Sequence, residues 1–283
     1  MLADIILTCL ALLALFVSSV TDLKKKEVPD WVSYTFVVSA LLIRAINSLV
    51  YSDFMYFLYG LIGFIIMFFI GNLMYYTKQW GGGDSKLLMG LGASFGTKPY
   101  FVAGNHSFLF SLLLNIIIIG AVYGVVFSIY LAFKNYSKFI KEYRKISDQP
   151  KMKTMKIIFI LLAAVFILPF VSFNEATLKT LIGIMIIFVA SYPFLYCLMK
   201  AVENVCMYIM IPVSKLTEGD WVVDEKIRSK FNISPLGVEK PQLALIKKSK
   251  INKIKIKEGV PFVPSFFIAL LVTLIYGALL PIF

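Results

Sequence analysis

Charge is scarce in this 283-residue chain, where Asp, Glu, Lys and Arg make up 16% of the residues against 59% hydrophobic and 15% aromatic. With a mean hydropathy of +0.84, that balance excludes an ordinary soluble domain, which needs more polar surface to meet water. Cysteine is nearly absent. Cys9, Cys197 and Cys206 show no Cys-x-x-Cys spacing and read as buried, small apolar side chains in a fold that needs no disulfide. The single histidine, His106, falls in an outer connection and reads as a loop residue rather than a ligand. A cleavable secretory signal is missing too. The first apolar run has no basic residue before it and no small-residue cleavage site after it, so it is expected to stay as a helix. Gly81-Gly82-Gly83-Asp84-Ser85-Lys86 lacks P-loop spacing and puts an anion where a phosphate would sit, which excludes nucleotide binding there.

What the chain has instead is apolar length. Runs near the roughly 20 residues needed to cross a bilayer fall at 2–20, 31–50, 54–76, 87–103, 107–133, 157–173, 178–199 and 261–282. The expected fold is an all-α polytopic membrane protein of about eight transmembrane helices, with a small α/β cytoplasmic domain before the last helix. Its expected divisions are a helical bundle over 1–202, the small domain over 203–258 and a final helix over 259–283. The formal net charge is +12, and its distribution speaks for topology rather than nucleic acid. With the connection after the first span inside, 25 of the 28 Lys and Arg fall on the inner side, including the basic loop 134–156; Arg44, Lys98 and Lys179 do not. Short inner loops rich in Lys and Arg are what orients membrane helices. Both termini then face outward, and contact with anionic membrane lipid is a secondary role for the basic residues.

Two aspartates stand at the inner ends of different apolar runs: Asp22, just before Lys24, Lys25 and Lys26, and Asp84, which closes the glycine string. An ionisable residue at a membrane edge is costly unless it is paired or wet, so each is a functional candidate by default. Two complete crossings separate them, which returns both carboxyls to the same inner face. Asp84 also has a plain structural explanation as the N-cap of the fourth helix. Asp22 does not, because the C-terminal end of a helix disfavours negative charge, although the neighbouring lysines offset part of the cost. The glycines before Asp84 lower helix stability and remove packing. They allow close backbone approach, either of a neighbouring helix or of an extended peptide.

These residues resemble the GxGD-type aspartic peptidases that process type IV prepilins and archaeal preflagellins. The resemblance lies in Thr21-Asp22-Leu23 with Val28-Pro29-Asp30 beyond it, in Gly81-Gly82-Gly83-Asp84-Ser85-Lys86-Leu87-Leu88 running into Gly90-Leu91-Gly92, and in Glu258-Gly259-Val260-Pro261-Phe262-Val263-Pro264. It covers 1–96 and about 215–267. It implies that Asp22 and Asp84 are a catalytic pair, with Gly81, Gly82, Gly83, Lys86, Pro261 and Pro264 supporting them. It also implies that the substrate is the N-terminal leader of a pilin-like or archaellin precursor, cut on the cytoplasmic side. Without the cysteine-rich insertion of bacterial members, peptidase activity without N-methylation is expected, closer to the archaeal branch. Two carboxyls sharing a site cannot both ionise, so one keeps a proton. One then activates a water while the other donates to the carbonyl oxygen and the leaving amine, and no metal or other cofactor is required.

Two other classes of function account for the same residues. An ion-coupled transporter would place the aspartates near the midplane, at a broken helix within an internal repeat; neither the depth nor a repeat is seen. A non-catalytic pilus or archaellum scaffold would tolerate loss of either carboxyl. Lys86, two residues from Asp84 and hence on another helix face, reads as an interfacial anchor or leader contact. Glu218, Asp220, Asp224 and Glu225 read as a solvated acidic face rather than a grip for a basic leader. Glu218-Gly219-Asp220 is expected to turn, 240–248 to be helical and 254–257 to form a strand. Gly92-x-x-x-Gly96 and Gly120-x-x-x-Gly124 read as helix-packing pairs, and Pro169, Pro193 and Pro212 as local breaks in the hydrogen-bond ladder.

Overall fold

In the computed structural model, residues 2–96, 108–234, 237–249 and 251–279 are described; His106, Lys98 and the outer ends of the expected fourth and last spans lie outside them. The chain opens with three long apolar helices, α1 (Leu2–Lys25), α2 (Asp30–Tyr51) and α3 (Phe54–Tyr76). Lys26 and Ser52, both at positive φ, close the first two helices and let the chain reverse. The Asp53 carboxylate accepts the Met55 N–H to start the third. Then follow α4 (Gly82–Phe95), α5 (Phe108–Lys134), α6 (Tyr136–Ser147), α7 (Pro150–Val165), α8 (Ile167–Ser172) and α9 (Ala176–Val202). Pro169 cannot donate to the hydrogen-bond ladder of the preceding turn, and Phe166 separates α7 from α8 just before it.

Among the described residues, six helical stretches are long and apolar enough to cross a membrane: Leu2–Lys25, Asp30–Tyr51, Phe54–Tyr76, Phe108–Lys134, Pro150–Ser172 and Ala176–Met207. Their outward faces carry exposed Leu13, Ile46, Phe69 and Ile187, a surface suited to lipid, and the molecule is a multi-pass membrane protein. About eight spans are expected from the sequence, and among the described residues six reach that length. The regions expected to give the fourth and eighth spans form 14-residue helices, α4 and α12 (Val263–Tyr276). At 1.5 Å per residue each is about 21 Å long, short of the roughly 30 Å hydrocarbon thickness.

The last carbonyls of a helix need partners that lipid cannot supply, and both short helices receive a polar side chain at that end. Arg44 is 4% exposed and donates from Nη2 to the Ser94 carbonyl near the end of α4 and from Nη1 to the Tyr56 carbonyl, both at 2.8 Å. Asn115 on α5 is fully buried. Its Nδ2 donates to Thr273 Oγ1 and the Gly277 carbonyl at the end of α12, and its Oδ1 accepts the Leu279 N–H. Arg44, an exception to the loop charge pattern, is therefore an internal cap rather than a loop charge.

α4 is the centre of the first half of the bundle, packed closely on α3 through glycine. A Cβ at Gly63 would meet the backbone of Gly92 and stand 2.8 Å from the Gly96 Cα, so the first expected packing pair does pack. The second divides. Gly120 meets a ring, whereas Gly124 has nothing within 4 Å of where its Cβ would be. The three cysteines are free, but only Cys197 is buried; Cys9 is exposed on α1, where the apolar thiol suits the helix's lipid-facing surface, and Cys206 is half-buried.

After α9 the chain makes a π-helical turn at Glu203–Met207 and enters β1 (Tyr208–Pro212). There follow β2 (Trp221–Val222), α10 (Glu225–Lys230), α11 (Lys240–Lys248) and β3 (Lys253–Lys257). The sheet runs β1-β3-β2, antiparallel throughout, with Ile256 paired to both Ile209 and Val222. Alternation along β3 buries Ile254 and Ile256 in a core with Val213, Leu216, Val222, Val238 and Ile246. Glu203 joins this layer to the bundle by accepting from Lys200, Lys257 and Tyr208 at 2.8, 2.7 and 3.0 Å. Glu218 and Glu225 are exposed, as a solvated face requires, with Glu218 paired to Lys240, while half-buried Asp220 accepts the Thr217 N–H and hydroxyl and Asp224 caps α10.

Candidate active site

Asp22 lies one turn from the end of α1 and is 6% exposed. Its position at a C-terminal end, unfavourable within its own helix, is answered by another helix. Asp22 Oδ2 accepts the Val263 N–H, the first amide of α12, at 3.0 Å, and the Phe262 amide also bonds to this carboxyl. The N-terminal end of α12 thus supplies both hydrogen bonds and positive dipole to a buried carboxylate. Pro261, itself buried, precedes these two amides, and Pro264 follows them at the second position of α12, where its fixed φ favours helix initiation.

Asp84 is the third residue of α4 rather than its N-cap. Gly81 occupies the capping position, and Asp84 Oδ2 reaches back to accept the Gly81 N–H at 2.9 Å. Ser85 Oγ donates to the Gly71 carbonyl at 2.8 Å and fastens this first turn to α3. α4 packs against α1, and the Asp22 and Asp84 carboxyls fall within electrostatic reach of one another. The bundle thus brings the two sequence-predicted aspartates together at the end where the lysine-rich segments lie.

The three glycines before Asp84 do different things. A Cβ at Gly83 would stand 2.7 Å from Val28 Cβ, whereas one at Gly82 would make an ordinary 3.6 Å contact with Tyr75. Gly83 therefore lets the connection between α1 and α2 lie directly on the start of α4. Lys86 points away from the carboxyls, to an ion pair with Asp30 and a position over the Tyr34 ring. Lys26 pairs with Glu258, tying the end of α1 to the segment leading into α12. Among the described residues, no three His, Cys, Asp or Glu side chains converge as metal ligands would.

Sequence reasoning did not find the amides that hold Asp22, nor the aromatic residues beside them. Trp80, Phe262 and Phe266 contact each other with centroid separations of 5.2 to 6.0 Å. Tyr123 on α5 lies within electrostatic reach of Asp22. The available signal was positional, since Trp80 immediately precedes the glycine string and Phe262 sits between the two prolines.

Residues 9–129 match the model of the type IV leader peptidase family. A preflagellin peptidase of Methanocaldococcus jannaschii is 38% identical over 29% of this chain and 34% of its own length. One of Methanococcus voltae is 32% identical over 47% and 59%, and one of Methanococcus maripaludis 31% over 43% and 53%. The chain thus spans between about a third and three-fifths of the length of these curated relatives. No solved structure matches it. The stretch similar to the type IV leader peptidase family, residues 9–129, is the one that carries both Asp22 and Asp84.

Proposed function

We propose that this protein is a membrane aspartic endopeptidase that removes the N-terminal leader of type IV pilin-like or archaellin precursors. The observation that carries the reading is the approach of Asp22 and Asp84 to within electrostatic reach of one another. Two carboxyls from separate helices converge at one end of the bundle, each oriented by a backbone amide from a helix start. The family match over 9–129 and the likeness to preflagellin peptidases support the substrate class.

One carboxylate takes a proton from a water, which attacks the scissile carbonyl, while the protonated partner donates to the carbonyl oxygen. As the C–N bond of the tetrahedral intermediate breaks, the first carboxyl passes its proton to the leaving amine and the second carboxylate takes one back from a hydroxyl of the intermediate, which restores the singly protonated pair. The two groups titrate as a unit, so the roles of base and acid belong to the pair rather than to a named residue. Burial beside the lipid strengthens the electrostatics of the reacting groups.

The lysine-rich distribution supports a cytoplasmic position for the pair, with both termini outside. We further assign 1–202 to the bundle, 203–258 to a small cytoplasmic domain and 259–283 to the closing helix, with the basic residues of 134–156 set against anionic lipid. The carboxyls' position at helix ends, rather than in mid-helix, favours this reading over an ion-coupled carrier. The test is incubation of the purified full chain in detergent with a pilin-like precursor, followed by mass spectrometry. Loss of a mass equal to the leader supports the assignment; a precursor that stays intact under conditions where the protein remains folded overturns it.

A further inference from the structure

Gly120 is a buried residue of α5, and what faces it is not backbone. A Cβ there would stand 3.0 Å from Phe262 Cε2 and closer still to Cζ. A glycine that lets helices pack meets the neighbouring main chain, as Gly63 meets Gly92, but Gly120 meets one aromatic ring. That ring belongs to the residue bonded to the Val263 nitrogen, whose N–H donates to Asp22 Oδ2.

Two further rings pack against it. Trp80, itself 8% exposed, packs on it at a centroid distance of 6.0 Å, and fully buried Phe266 meets it edge-on at 5.7 Å. Trp80 in turn is bonded to Gly81, whose N–H donates to Asp84 Oδ2. One aromatic trio therefore adjoins both amides that orient the two carboxyls. Displacement of Phe262 is passed through its own peptide plane to Asp22, and through Trp80 toward Asp84.

We propose that Gly120 is a positioning residue for the carboxyl pair: its missing side chain forms the seat for the Phe262 ring, and the seated ring holds the Val263 amide against Asp22. The inference rests on the assignment of Asp22 and Asp84 as the catalytic pair. Gly124, one turn further along α5, provides a control, because a methyl there meets open space.

The experiment compares the intact chain with Gly120→Ala, Gly124→Ala, Phe262→Leu and the double variant Gly120→Ala/Phe262→Leu, in detergent, for precursor cleavage and for melting. Displacing a reacting group by about 1 Å costs on the order of a hundredfold in rate, so Gly120→Ala should lower kcat by about ten- to a hundredfold with KM changed less than about twofold. Gly124→Ala should match the intact protein. The shorter Leu should make room for the added methyl, so the double variant should recover rate relative to Gly120→Ala. Melting should follow the same pattern, with Gly120→Ala lowering the transition by a few degrees, about 2–4 °C for each kcal/mol of overpacking, and Phe262→Leu relieving it. A Gly120→Ala protein with the intact kcat, a loss confined to KM, or independent effects of the two substitutions on kcat and melting would overturn the seat. If the intact protein cleaves nothing, the proposed function is what fails, and the melting cycle alone then decides whether Phe262 is seated on Gly120.

Discussion

The glycine string before Asp84 separates into positions that tolerate a methyl group and one that does not. Ordinary carbon contacts begin near 3.4 Å, and a Cβ at Gly83 would lie 2.7 Å from Val28 Cβ and 2.9 Å from Val28 Cγ2. The start of α4 and the connection between α1 and α2 would have to part by close to 1 Å. Overpacking of this kind costs about 1–3 kcal/mol, and moving Asp84 by a comparable distance relative to Asp22 costs on the order of a hundredfold in rate. Gly82 begins α4 and has room, with Tyr75 at 3.6 Å. Alanine there also recovers about 0.5–1 kcal/mol of helix-forming tendency. Gly82→Ala is therefore expected to be at least as stable as the intact protein and to cleave at a similar rate, while Gly83→Ala loses most of its activity. Val28→Ala, which shortens the opposing side chain, should restore part of that loss in the Gly83→Ala background. The assay is initial cleavage rate in detergent at matched folded amounts, with melting followed in parallel. Equal rates for the two single alanine variants would refute the close-approach argument.

Two further outcomes follow from the same geometry. Asn115→Leu keeps the volume but strips partners from the Gly277 carbonyl and the Leu279 N–H; at about 0.6 kcal/mol per buried membrane hydrogen bond as a floor and about 1–3 per orphaned group as a ceiling, it should destabilise by about 2–5 kcal/mol. A melting temperature within about 2 °C of the intact protein would show that the end of α12 does not depend on this cap. Burial pushes the Asp220 carboxyl above the usual carboxylate range, and the charges of Glu27 and Glu258 add to the push, against hydrogen bonds from Thr217. The folded form then binds this proton more readily than the unfolded chain, so its stabilising contribution is full below about pH 4 and is lost as pH rises through the elevated value. Asp220→Asn, whose amide oxygen still accepts the Thr217 N–H, should flatten this part of the pH dependence of melting; an unchanged slope would count against it.

Much of the architecture was legible because it is written in local patterns. Apolar length marked the long helices, the alternation of Ile254 and Ile256 with lysines marked β3, and counting the crossings put Asp22 and Asp84 at the same end. What the sequence hid was long-range. The amide that holds Asp22 belongs to Val263, 241 residues away, and nothing near either residue announces the pairing. The shortness of α4 and α12 was equally hidden, because apolar length marks where a helix can run but not where it stops. Arg44 stood out only as a charge within an apolar run, since only the folded bundle shows the carbonyls of Ser94 and Tyr56 that it serves. Gly120 and Gly124 have identical sequence credentials as a packing pair, and only the Phe262 ring tells them apart.

The central claim is that the two carboxyls act together on one peptide bond. It is tested most directly by cleavage of a pilin-like precursor with the intact protein, Asp22→Asn and Asp84→Asn at matched folded amounts. The two-carboxyl account predicts that the intact protein releases the leader and that each single replacement abolishes release while the protein stays folded. Cleavage that survives either replacement would contradict it.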